Sequence, residues 1–121
     1  MKLRIKDSTI RIRLSMGEVR QLAEAGSVYA FCVFPGGAQL GYGINRAMDW
    51  YAEFTEGDIR VYVPEEVLDN FCHTDRIGFD HRIENGVPGG LYLLIEKDFQ
   101  CLTERMHEDE SDLFPNPNAN C

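Results

Sequence analysis

No stretch of the 121-residue sequence approaches the roughly eighteen consecutive apolar residues of a membrane-crossing helix. Positive charge is also scarce, since 12 Lys and Arg face 20 Asp and Glu for a formal charge of -8. Such an acidic balance argues against nucleic acid as a partner. The four cysteines, Cys32, Cys72, Cys101 and Cys121, contain no Cys-x-x-Cys, which removes a thioredoxin-like couple and the ordinary zinc knuckle. Met1 is followed by alternating charged residues where a secretory leader needs a continuous apolar run, so the expected compartment is the cytoplasm, with reduced thiols. Phosphate-loop and nucleophile-elbow motifs are missing, and His107-Glu108-Asp109-Glu110-Ser111 lacks the second histidine of a zinc hydrolase helix. What is left is one domain over residues 1–121, because a chain of this length buries about two-thirds of its extended surface and builds one core.

The residues present are strongly patterned. Lys2 to Lys6 and Thr9 to Leu14 alternate apolar and basic residues around Asp7-Ser8, the signature of a β-hairpin with one buried face. Leu3, Ile5, Ile10, Ile12 and Leu14 are expected inside, which leaves Lys2, Arg4, Lys6, Arg11 and Arg13 together on the other face. Ser15-x-x-Glu18 is a capping box, and Met16, Val19, Leu22 and Ala23 continue at helical spacing to Gly26, predicting a helix over 16–25. Val28 to Phe34 and Gln39 to Asn45 read as strands around Pro35-Gly36-Gly37.

The same order then returns. Trp50 to Thr55, a Glu56-Gly57 turn and Asp58 to Val63 form a second hairpin, and Asp58-Ile59-Arg60-Val61 follows Thr9-Ile10-Arg11-Ile12 in pattern. Pro64, Glu65 and Glu66 open a second helix striped with Val67, Leu68, Phe71 and Cys72. Arg76 to Ile83 and Leu91 to Lys97 supply another strand pair. The chain therefore reads as an α+β fold of two β-β-α-β-β units, over 1–48 and 49–97, offset by 48 or 49 residues. Each unit is too small to fold comfortably alone, so the two are expected to share one antiparallel core, as a small barrel or two packed sheets.

Residues 98–121 form a C-terminal arm of different character. Residues 96 to 121 carry seven acidic groups against Lys97 and Arg105, and their apolar content after Thr103 is reduced to Met106, Leu113 and Phe114. Leu113 and Phe114 are the expected anchors, with Asp109, Glu110 or Asp112 answering Arg4, Arg11 or Arg13. The opening MKLRIKDSTIRIRLSMGEVRQLAEAG together with the closing EKDFQCLTERMHEDESDLFPNP resembles a family of small uncharacterised bacterial proteins. That resemblance implies that the arm belongs to the fold, and it carries no catalytic or binding residue across.

Three arrangements are candidates for function. Lys2, Arg4, Lys6, Arg11 and Arg13, with Arg60 at the repeated position, offer paired guanidinium forks to a phosphorylated small molecule, where nearby carboxylates would recruit magnesium. Cys101, His107 and Cys121, with Asp109, Glu110 or Asp112, have the ligand chemistry of zinc. Trp50, Tyr51, Tyr29, Tyr42, Phe54 and Phe79 supply either a core or a protein contact patch. Cys32 and Cys72 are expected in the core, and His73 and His81 lie around the second helix. No catalytic set converges, so the expectation is a non-enzymatic binding or adaptor module. The alternatives are a metal-dependent enzyme using the basic face and a metal-stabilised structural protein.

Overall fold

In the computed structural model, residues 1–100 and 109–116 are described. Among these residues, eight strands and two helices follow the expected order: β1 Lys2–Lys6, β2 Thr9–Leu14, α1 Met16–Ala25, β3 Ser27–Val33, β4 Gln39–Ala47, β5 Tyr51–Thr55, β6 Asp58–Pro64, α2 Glu65–His73, β7 Gly78–Ile83 and β8 Leu91–Lys97. Local chemistry sets the helix ends. The Ser15 hydroxyl accepts from the Glu18 N–H, the Glu18 carboxylate accepts from the Ser15 N–H, and Gly26 closes α1 at φ 77° while donating to Leu22. The second helix begins after Pro64, with Glu65 and Glu66 at its positive end.

Two four-stranded sheets result, in the orders β1-β2-β8-β7 and β3-β4-β6-β5. Exchanging the first five elements with the last five converts one order into the other, so the duplication is carried by the whole topology. The halves are interlocked, because each sheet takes one strand pair from each half. The closed barrel is ruled out, since the two sheets remain separate. The core is not purely antiparallel either. β2 runs parallel to β8, with Ile10 opposite Leu93, and β4 runs parallel to β6, with Tyr42 opposite Ile59. Each helix carries the chain over from a central strand of one sheet to the edge of the other.

The core contains equivalent residues of both halves: Ile12 with Val61, Leu14 with Val63, Val19 with Leu68 and Leu22 with Phe71 are all buried. Phe71 meets Phe79 edge to face at 5.1 Å. The two helices fill the space where β2 and β6 end. At the opposite, hairpin-turn end no helix of the described residues lies between the sheets, and Ile5 is 54% exposed, against its expected place in the core.

The arm residues 109–116 pack beside the end of β8. Phe114 accepts from Gln100 and donates to Asp98, and its ring lies 5.6 Å from that of Phe99. Leu113 is only 7% exposed. Asp112 does not go to the basic hairpin: its backbone accepts from Met16 N–H and its side chain from Gly17 N–H at 3.0 Å. The first turn of α1 offers directed, otherwise unpaired N–H donors, which hold a carboxylate better than screened surface cations do.

Candidate functional site

A cavity of about 430 Å³ opens between the two sheets at their hairpin-turn end. Its lining is Ile5, Ile10 and Leu91 from one sheet and Leu40, Ala52, Glu53, Phe54 and Ile59 from the other. Three pairs of these are equivalent under the internal duplication: Ile5 with Phe54, Ile10 with Ile59, and Leu40 with Leu91. The cavity therefore straddles the pseudo-twofold relation between the halves. Among the described residues its one charged lining residue is Glu53, whose carboxylate accepts from the Tyr62 hydroxyl at 2.9 Å. That hydrogen bond to Glu53 is the main reason the Tyr62 hydroxyl is held above its usual range. The cleft was not legible in the sequence, because each lining residue alternates as an ordinary core residue. Only the pairing of sheets shows that nothing from the described chain fills the space.

The basic residues of the first hairpin stand on the outer face of its sheet. Lys2, Arg4, Arg11 and Arg13 border one depression of about 180 Å³, and Arg4, Lys6, Thr9, Arg11 and Leu94 border another of the same size. Arg60 does not join them. The repeat makes it the equivalent of Arg11, but the equivalent strand belongs to the other sheet, where Arg60 donates to Asp58 at 3.2 Å. The hydrogen bond to Asp58 is also the first cause of its raised pKa.

The aromatic candidates separate into three environments. Phe79 is buried, Trp50 stacks on His81 at 4.1 Å, and Tyr42 donates to the Met1 carbonyl. Burial is the first cause of the upward shift of the Tyr42 hydroxyl. Tyr29, Tyr51 and Phe54 are exposed instead. Tyr29 lies over Gly43, where a Cβ would fall on the ring and within 2.6 Å of the Val28 carbonyl. Glycine in β4 thus lets a large ring lie flat on the sheet rather than stand away from it.

Cys32 is exposed, contrary to its expected burial, because β3 is an edge strand and Cys32 sits near its free end. Cys72 is half-buried, and burial raises its thiol pKa. Cys101, His107 and Cys121 lie outside the described residues, as does any zinc site built on them. Among the described residues, no group of three or more His, Cys, Asp or Glu is placed to hold a metal ion. Nor is any helix among them long and apolar enough to cross a membrane. His73 ends α2, close to Thr74, whose carbonyl accepts from Lys97 Nζ at 2.8 Å.

A family model matches the chain along nearly its whole length. The chain belongs to the family of unknown function DUF7009, over residues 1–118. No curated protein and no solved structure matches it. The DUF7009 match covers both halves and the arm as far as residue 118, and assigns no role to any residue.

Proposed function

We propose that this DUF7009 chain is a non-enzymatic binding module of the cytoplasm whose cleft between the sheets takes a small apolar molecule. The observation that carries this reading is the cavity of about 430 Å³, lined by Ile5, Ile10, Leu40, Ala52, Phe54, Ile59 and Leu91, with Glu53 as the only charged lining residue among the described residues. That volume falls in the roughly 300–1,000 Å³ range of small-molecule pockets, and an apolar lining rewards an apolar guest. A substrate to be transformed would need convergent acid, base or nucleophilic groups in the cleft. Glu53 alone, already engaged by Tyr62, does not make such a set.

Titration with a neutral, environment-sensitive dye tests the reading. The wild-type chain is expected to bind with a blue-shifted emission, and Ala52→Phe, which fills the cleft, should weaken binding by about tenfold or more. Arg11→Gln, on the opposite face of its sheet, should leave dye binding unchanged. Absence of saturable binding, or equal binding by Ala52→Phe with its fold retained, rejects the cleft as a ligand site.

A further inference from the structure

The duplication provides an internal control for the outer face of the first hairpin. Inward positions keep their character when the halves are exchanged: Ile5 becomes Phe54, Ile10 becomes Ile59, Ile12 becomes Val61 and Leu14 becomes Val63. Outward positions do not. Where the first half has Lys2, Arg4, Lys6 and Arg13, the second has Tyr51, Glu53, Thr55 and Tyr62, and only Arg11 has an equivalent of its own kind, Arg60. In the second half Tyr62 donates to Glu53, and Arg60 to Asp58 of its own strand. A mixed, self-paired outer face is therefore sufficient to build this hairpin.

The cations of the first half carry a cost that the fold does not require. Its register sets Arg4 opposite Arg11 and Lys2 opposite Arg13, and like charges directly across a strand pair destabilise it. Neighbouring carboxylates offset only part of this. Glu96 serves both Arg11, at 2.5 Å, and Arg13, at 3.6 Å, while Asp98 meets Lys2 at 2.7 Å. Arg4 and Lys6 make no ion pair among the described residues. Arg4 borders both adjoining depressions, which also share Arg11, and Lys6 borders the second of them together with Thr9.

We propose that this strip is an anion site for a compact phosphorylated small molecule, separate from the apolar cleft. Arg4 and Arg11, paired across the strands, supply guanidinium donors to one phosphoryl group, and Lys6 and Thr9 receive its neighbour toward the turn. Glu96 is a positioning residue, holding Arg11 in place from the adjacent strand. Compactness follows from charge. The strip is a single hairpin long in a chain of net charge -8, so an extended polyanion would leave the cations and meet net negative surface beyond the screening distance of about 8–10 Å.

Calorimetric titration of the full chain with pyrophosphate at low ionic strength gives the test. One-to-one binding is expected, weakened by about tenfold or more in Arg4→Gln and in Arg11→Gln and unchanged in Arg60→Gln. Amide shifts of the wild-type protein give a check that needs no variant, with perturbations confined to β1, β2 and β8. Lack of saturable binding, an equal loss in Arg60→Gln, or perturbations centred elsewhere overturns the site. A duplex oligonucleotide that binds more tightly than pyrophosphate overturns the compact ligand. Dye binding in the cleft is read independently, so either site can fail while the other stands.

Discussion

At Cys32 the alternation of a strand and the position of that strand pull in different directions. Its side chain is on the inward register of β3, with Leu40 as cross-strand partner, yet β3 is an edge and its far end reaches past the core. Cys72 is on the helix that plugs the core, and burial raises its thiol pKa from the ordinary 9.0. Only the thiolate is nucleophilic, so a raised pKa and restricted access both slow Cys72. Alkylation at pH 8, followed by peptide mass mapping, should label Cys32 about tenfold or more faster than Cys72. Equal rates would show that Cys72 is as accessible as Cys32. The same distinction explains Arg60: a repeated residue type was visible in the sequence, but the sheet it would join was not. Periodicity tells which face of a strand a residue occupies, and says nothing of how near that residue lies to the edge or to its repeat equivalent.

Elements were far more legible than residues, because their signals are local. The capping box at Ser15 and Glu18, the left-handed Gly26, the turn at Glu56-Gly57 and the alternation in both hairpins each act within a few positions. The arm lacks such periodicity, and its anchoring depends on contacts with distant elements. Leu113 is buried, whereas Asp112 is an exposed carboxylate at the start of α1. Lys97, itself nearly buried, places Nζ 5.2 Å from the Phe71 ring and 5.5 Å from the Phe114 ring, tying the arm to the helix core. Truncating Leu113 to Ala should destabilise the protein by about 2–5 kcal/mol, the range for a buried leucine. Asp112→Asn keeps an acceptor for Gly17 and loses only charge at the helix end, worth about 0.3–1 kcal/mol. Chemical denaturation should rank the two in that order, and amide exchange at Phe114 and Gln100 should accelerate in Leu113→Ala. A larger loss in Asp112→Asn would place the anchor in electrostatics.

For the whole molecule, the feature hidden from the sequence is the pairing of strands that are far apart in the chain. β2 and β8 meet in parallel across most of the chain length, and nothing in either alternation names the other as partner. Matching hairpins and helices disclosed the duplication, but not that each half divides its strands between both sheets. That division has an energetic consequence. Were each half to form its own sheet, the molecule could open along one surface; as built, separating the halves breaks the parallel ladders β2 with β8 and β4 with β6 and splits the shared core of Leu22, Phe71, Ile44 and Leu93. Each half would be left with two isolated strand pairs, which are marginally stable at best in water. The connection between halves carries little of this stability, and Met48 within it is fully exposed. A protease site inserted between Met48 and Asp49 should therefore be cut without loss of structure. Cleaved protein is expected to elute from a sizing column as a single species with unchanged circular dichroism, and to part into two fragments only in denaturant. Its unfolding midpoint should become concentration-dependent, since refolding is now a bimolecular association. Separation of the fragments under native conditions would mean that the shared ladders and core do not hold the halves together.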